Sequence, residues 1–181
     1  MASATGLNLL FQRRIMKHLT SEKLKQKFSD SILDVIEFRK ELTFIIKKEA
    51  LLDICEFFKN DPELQYNFLS DVCGVDYPER EKRFEIVYNL YSIPNRWRAR
   101  LKINVGEDES VPSITSIWEC ANWQEREIFD MFGVEFENHP DLTRILMPDD
   151  WVGHPLRKDF PLTKEEVAFT HNQHRPPKRI G

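Results

Sequence analysis

Two short stretches of the chain concentrate side chains that could do acid–base or metal chemistry. They are EREIFDMFG from position 125 and HPLRKDFPL at 154–162. Carboxylates near an imidazole can transfer protons or bind a metal ion, and the same residue types also build salt-bridge networks. We take ten of the ionisable residues in and between these stretches as candidates, namely Glu125, Arg126, Glu127, Asp130, His139, Arg144, His154, Arg157, Lys158 and Asp159.

Glu125 stands at an unusual place in its predicted helix. Positions 114, 118, 121, 125, 128 and 132 follow steps of four and three, and apolar residues fill all of them except Glu125. A carboxylate in such a stripe is costly to bury unless it is paired or hydrogen-bonded. Arg126 and Asp130 have i,i+4 spacing and are predicted to pair. We interpret these acids as a structural network that holds the helix to the segment carrying Arg144 and Arg157.

The segment after this helix reads as an extended arm. Six of the ten prolines lie in the last 42 residues, at 140, 148, 155, 161, 176 and 177. His139 and His154 each precede a proline, which favours extended backbone and an anchoring role for the imidazole. The arm also contains many apolar residues, which must be buried on its own domain or on another chain.

Composition excludes several classes of protein. A chain of 181 residues with 41% apolar and 31% charged content supports one globular domain plus an appendage. The net charge of −4 gives no attraction to nucleic acid, and three cysteines without a CxxC pair indicate no disulfide framework or iron–sulfur site. Six glycines form no nucleotide-binding loop, and no apolar run is long enough to span a membrane.

Hydrophobic periodicity predicts the elements that position these residues. Alternation indicates strands at 32–38, 41–48, 65–76, 82–93 and 96–105, and three- and four-residue spacing indicates helices at 21–28, 48–60 and 113–133. Pro112 marks the start of the last helix and Gly133 its left-handed C-terminal cap. The predicted fold is α+β, a two-layer domain with helices packed on one mixed or antiparallel sheet of about five strands.

This pattern divides the chain into three parts. We predict a mobile N-terminal arm at 1–20, an α+β domain at 21–137, and an extended Pro-rich C-terminal arm and tail at 138–181 that docks on a partner. Without a nucleophile, a metal set or a nucleotide loop, the chain reads as a subunit of an assembly. A free-standing enzyme that uses Glu125, Asp130 and His154 is the alternative from another class.

The motifs resemble those of a known family. EREIFDMFGVEFENHPDLTRIL (125–146), GHPLRKDFPL (153–162) and DVCGVDYPEREKRFEIVYNL (71–90) resemble the C subunit, or 30 kDa-type subunit, of respiratory complex I. That complex is the proton-translocating NADH:quinone oxidoreductase. The ten ionisable residues above match motif positions, and the resemblance implies structural and interfacial roles for them. Thr143 departs from the family pattern, which commonly has a basic residue there.

The resemblance also implies partners and a location. The chain would have no catalytic centre or cofactor of its own, while FMN, iron–sulfur clusters, NADH and quinone would be bound by partner subunits. It would dock on the D subunit, which is the large quinone-site subunit, and on neighbouring iron–sulfur subunits of the peripheral arm. The expected location is the cytoplasmic side of the bacterial inner membrane, or the matrix side in an organelle, with membrane contact only through partners.

A second assembly is compatible with the same motifs. The equivalent subunit of an energy-converting hydrogenase, or of a ferredoxin- or deazaflavin-linked dehydrogenase, would look alike, because the electron-input module lies in other subunits.

Overall fold

The structure is a computed structural model that describes residues 18–39 and 41–161. Residues 1–17 of the predicted N-terminal arm and residues 162–181 of the predicted tail lie outside the described part. The first described residues, 18–20, are already helical, and Thr20 is buried with its hydroxyl 3.0 Å from that of Tyr66.

Five strands within the described part of the chain form one sheet, as the alternation of the sequence predicts. They are β1 (Ile32–Phe38), β2 (Glu41–Ile46), β3 (Phe68–Asp76), β4 (Phe84–Ser92) and β5 (Trp97–Val105). Their order across the sheet is β1-β2-β5-β4-β3. β2 and β5 run parallel and every other neighbouring pair is antiparallel, so the sheet is mixed.

Three α-helices of the described residues pack on the sheet, and two of them show how the apolar stripe of a helix covers a strand surface. They are α1 (18–28), α2 (Leu51–Asn60) and α3 (Ala121–Phe132). On α2, Phe58 meets Phe44 of β2 edge to face at 6.1 Å. On α3, Phe132 lies against Gly74 of β3, where a Cβ atom would come within 3.0 Å of the ring. The predicted two-layer α+β class is therefore confirmed.

The predicted helix at 113–133 is wrong at its start. α3 begins at Ala121, and the preceding Val111–Pro112 forms a short strand, β6, parallel to β7 (Phe136–Glu137). Between β6 and α3 the chain turns, with Trp118 N donating to Ile114 O. Helical spacing misled here because apolar residues in a turn also face the core. The predicted cap at Gly133 is confirmed, with φ of 75°.

The C-terminal arm follows β7 without further helix or strand up to residue 161. Leu142 and Met147 of the arm pack against the core of the domain. Trp151 stacks on Phe160 within the arm, with ring centroids 6.4 Å apart. The arm therefore buries part of its apolar content on its own domain.

Candidate functional site

Glu125 is fully buried on α3, at the position in the apolar stripe where the sequence places it. Its two carboxylate oxygens accept hydrogen bonds from Ser113 Oγ at 2.6 Å and Ile114 N at 2.9 Å. Burial raises the pKa of Glu125 to about 7, although both hydrogen bonds favour the carboxylate. Glu125 thus ties α3 to the turn that precedes it, which explains why residues 113–114 are not helical.

His139 begins the arm beside Glu125. Its Nδ1 accepts a hydrogen bond from Asp141 N at 3.1 Å, so the proton of the neutral ring is on Nε2. Nε2 donates to Asn122 O at 3.2 Å and lies 3.9 Å from Glu125 Oε2. The imidazole therefore anchors the start of the arm to the first turn of α3.

The Asp130 carboxylate attaches the arm to α3 through four hydrogen bonds. It is fully buried, and its carboxylate accepts hydrogen bonds from Arg144 Nη1 at 2.6 Å and from the amides of Ile145, Leu146 and Met147 at 2.8–3.1 Å. Burial alone would raise the pKa of Asp130. The three amides and the guanidinium outweigh it and lower the pKa.

The arm also satisfies the carbonyl oxygens at the C-terminal end of α3. The last four carbonyls of a helix have no partner inside it. The four bonds that close this end are Gly133 N to Phe129 O (2.8 Å), His154 Nδ1 to Asp130 O (2.9 Å), Leu156 N to Met131 O (3.1 Å) and Arg157 Nε to Phe132 O (2.6 Å). Burial lowers the pKa of His154, so a neutral imidazole makes this bond at pH 7.

Arg157, Lys158 and Asp159 fasten the arm to the loops at one end of the sheet. Arg157 Nη1 pairs with Glu107 Oε1 at 2.6 Å, and the Lys158 amide donates to Asp76 at 2.7 Å.

Arg83 bridges the end of the sheet and the arm. Its guanidinium lies between two acids, with Nε 2.7 Å from Asp76 Oδ1 and Nη2 2.7 Å from Asp159 Oδ1. The hydrogen bonds from Arg83 lower the pKa of both carboxylates. Sequence reasoning missed Asp76, Arg83 and Glu107. The predicted strands at 65–76 and 82–93 could have led to the pairing of Asp76 with Arg83, because these residues flank the short turn between the two strands.

Arg126 has a different partner from the one its spacing predicts. Its guanidinium donates to Thr143 O, Thr143 Oγ1 and Arg144 O at 2.9–3.1 Å, and stacks over Trp123 at 5.2 Å. The predicted pairing of Arg126 with Asp130 is wrong, because Arg144 takes that carboxylate. Thr143 stands where the resembled family commonly has a basic residue, and here its oxygen atoms accept hydrogen bonds from Arg126. Glu127 is exposed and takes no part in this network.

The described arm therefore turns the guanidinium groups of Arg144 and Arg157 toward its own domain and part of its apolar content outward, while its other charged side chains stay exposed. Leu146, Val152 and Leu156 have 60%, 85% and 52% of their surface exposed. We call these three residues the docking patch. All three lie in backbone held at the C-terminal end of α3, because Asp130 binds the Leu146 amide, Arg144 Nη2 binds Gly153 O, and the Leu156 amide binds the helix.

Two further findings concern only the described residues. No helix among residues 18–39 and 41–161 is both long and apolar enough to cross a membrane. Within the same ranges, no three His, Cys, Asp or Glu side chains lie together as ligands for a metal ion.

Comparison with known proteins places the chain in a family. Residues 44–166 match the family model described as respiratory-chain NADH dehydrogenase, 30 kDa subunit. The C subunit of NADH-quinone oxidoreductase from Roseiflexus sp. (strain RS-1) is 55% identical over 155 residues, which cover 85% of this chain and 89% of that protein. The protein of the same name from Geobacter sulfurreducens is 58% identical over 142 residues, 77% of this chain and 86% of that protein. This chain belongs to the family of the 30 kDa subunit of respiratory-chain NADH dehydrogenase.

Proposed function

We propose that this chain is a non-catalytic structural subunit in the peripheral arm of a proton-pumping NADH:quinone oxidoreductase. It docks on the D subunit, the large subunit of the quinone site, and contacts neighbouring iron–sulfur subunits. FMN, iron–sulfur clusters, NADH and quinone are bound by those partners in this proposal. The assembly lies on the cytoplasmic side of the bacterial inner membrane, or on the matrix side in an organelle. Family membership supports the assembly, and the names of the relatives favour NADH over hydrogenase-type electron input.

The exposed apolar side chains of the arm, beside arginines that face inward, carry the proposal that the chain docks. A surface segment in water normally presents its charges and hides its apolar groups. Here Arg144 and Arg157 bind their own domain, whereas Leu146, Val152 and Leu156 face outward. Apolar side chains held rigidly on a surface, with polar groups around them, are typical of a protein–protein interface.

The hydrogen bonds of the three candidate acid–base residues support the proposal that the chain is not catalytic. Glu125 and Asp130 are fully buried, and every oxygen of both carboxylates accepts a hydrogen bond from this chain. His154 donates to the backbone of α3. A general acid or base must reach the proton that it transfers, whereas Glu125 is occupied by the turn before α3, and Asp130 and His154 are occupied in holding the arm.

The test replaces two residues of the docking patch, Val152→Asp and Leu156→Asp, in one variant. Burying each of these side chains at an interface is worth about 1.5–3 kcal/mol, so the pair would weaken docking by 100-fold or more, from about 3 kcal/mol upward. The assay is the affinity for the purified D subunit, together with recovery of the chain in the native complex. Ile93→Asp is the matched control, because Ile93 is 56% exposed and lies outside the arm.

The outcomes separate the possibilities. Unchanged melting with lost affinity for the D subunit would support the proposal, and unchanged affinity would refute the docking patch. The flavin-bearing NADH subunit among the chains that co-purify with the wild type would support NADH input, whereas a nickel-containing subunit would favour the hydrogenase alternative. Oxidation of NADH by the isolated chain would refute the non-catalytic role.

A further inference from the structure

Two neighbouring acids, Asp149 and Asp150, lie between Leu146 and Val152 of the docking patch. A backbone hydrogen bond of 3.0 Å across residues 148–151 closes a turn with the two acids at its centre. Leu146 comes before this turn and Val152 follows it. The two carboxylates therefore belong to the rim of the docking patch.

The backbone on either side of this turn is fixed to the C-terminal end of α3. Asp130 accepts a hydrogen bond from the Leu146 amide at 2.8 Å, and Arg144 Nη2 donates to Gly153 O at 3.2 Å. Groups that are already held in place lose less conformational entropy when a partner binds. The turn thus presents its acids and the apolar residues beside them as one ready-made surface.

Neither acid is neutralised within the described part of the chain. Both residues are exposed, and no Lys, Arg or His among residues 18–39 and 41–161 forms an ion pair with either carboxylate. The two arginines of the arm, Arg144 and Arg157, bind carboxylates of the domain instead. Asp149 and Asp150 are therefore free to pair with cations of another chain.

The other exposed charges of the arm do not balance these two. Asp141 is a third exposed acid, near the start of the arm. Lys158 is exposed as well, but its backbone is held at the end of the sheet, where its amide donates to Asp76 Oδ2 at 2.7 Å. Within 141–156, which contains the whole docking patch, the exposed charged residues of the described chain are all acidic. A partner that covers the docking patch meets a negative rim.

We propose that the surface of the D subunit that covers the docking patch carries Lys or Arg side chains at its rim, facing Asp149 and Asp150. The inference rests on the proposed function, because it takes the D subunit as the partner. Interfaces have an apolar centre and a polar rim, and rim charges steer the encounter when the two potentials are complementary. Acids at this place on the partner would repel both carboxylates, and an apolar surface would strip them of water without compensation.

The experiment measures the association rate of the full chain with the purified D subunit at several salt concentrations. The variant is Asp149→Asn with Asp150→Asn, which keeps the size of both side chains and removes both charges. The matched control is Asp53→Asn with Glu56→Gln, a pair of exposed acids on α2. It changes the net charge of the chain by the same amount on a different surface.

At an ionic strength of about 0.01 M, where charges act over roughly 30 Å, the variant should associate about ten-fold more slowly than the wild type. The difference should shrink to less than about two-fold near 1 M salt, where screening confines charges to roughly 3 Å. The control should stay within about two-fold of the wild type throughout, because its charges lie outside the contact.

Association of the variant that is unchanged or faster at low salt would overturn the inference, and so would an equal slowing of the control. Failure of the proposed function is distinguishable from either result, because the wild-type chain would then not bind the D subunit at any salt concentration.

Discussion

Replacing Asp130 by Asn tests whether one buried carboxylate holds the arm on the domain. Asn has nearly the same shape but no charge, and one of its two terminal atoms is a donor. The single remaining oxygen of the variant cannot serve the Arg144 guanidinium and all three backbone amides that Asp130 binds. The substitution therefore removes the anion and directs an N–H group at other N–H groups.

The structure sets the size of the effect. Removing one partner of a buried ion pair costs roughly 3–5 kcal/mol. Arg144 keeps 17% of its side-chain surface exposed, so the lower end applies. At about 1.4 kcal/mol for each factor of ten, 3 kcal/mol corresponds to a roughly 100-fold increase in local opening of the arm. The sheet and its helices make most of the core and should remain folded.

Amide hydrogen exchange of the isolated chain is the suitable assay, because it reports local opening. The amides of Ile145, Leu146, Met147 and Leu156 should exchange about 100-fold faster in Asp130→Asn, while those of β4 and β5 should change much less. Glu127→Gln is the matched control, a similar loss of charge at an exposed position of the same helix. Its exchange pattern should equal that of the wild type.

The pH dependence gives an independent check. The pKa of Asp130 is lowered, so its contribution is complete above an unfolded-state pKa of about 3.9 and is lost as pH falls through the lower native value. The difference in the free energy of arm opening between variant and wild type should therefore be constant from about pH 5 to 8. Over this range Asp130 is ionised in both the native and the unfolded state. Arm amides that exchange equally in both proteins at pH 7 would refute the account.

Three other substitutions probe the same junction. Burial raises the pKa of Glu125 from 4.5 to about 7. Between these pH values the native state holds a proton that the unfolded chain has lost, so the free energy of unfolding falls by roughly 3 kcal/mol as pH rises from 4.5 to 7. In Glu125→Gln the Tm should depend less on pH over this range than in the wild type. If the two curves of Tm against pH are parallel, the raised pKa does not belong to Glu125. Gly133→Ala would put a Cβ at φ 75°, 2.5 Å from His154 Nε2, and should lower the free energy of unfolding in urea by about 2–4 kcal/mol. Gly106→Ala is the control, because the added Cβ would come no closer than 3.3 Å to a side chain. An equal loss of unfolding free energy in both variants would argue against a special role of the Gly133 cap. Arg157→Glu would place a carboxylate against the end of α3 and should speed proteolysis of the arm and weaken assembly while the domain stays folded; arm cleavage at the wild-type rate would speak against this.

Local patterns were sufficient for much of the fold. The alternation in RWRARLKINV predicted β5, because its apolar positions face the core and its basic positions face away. Gly133 after a helical stripe predicted the C-terminal cap, since only glycine readily adopts the left-handed conformation required there. The position of Glu125 in the apolar stripe predicted its burial. Each of these inferences depends on residues close together in the chain.

Partners distant in sequence could not be inferred in the same way. Arg126 has Asp130 four residues away, yet it binds Thr143, because the arm brings Arg144 to that carboxylate. Arg83 is separated by 76 residues from its partner Asp159. Which cation meets which anion depends on how the arm crosses the domain, and spacing along one helix does not contain that information.

The sequence by itself determined that this protein has an α+β domain and an apolar, Pro-rich arm rich in ionisable residues. Only the tertiary structure decided the direction in which the arm presents those residues. Arg144 and Arg157 face the C-terminal end of α3 and the loops at the end of the sheet, where carbonyls and carboxylates require partners. Leu146, Val152 and Leu156 are left outside as a consequence, because a short extended segment cannot direct both these arginines and all of its apolar side chains to one surface.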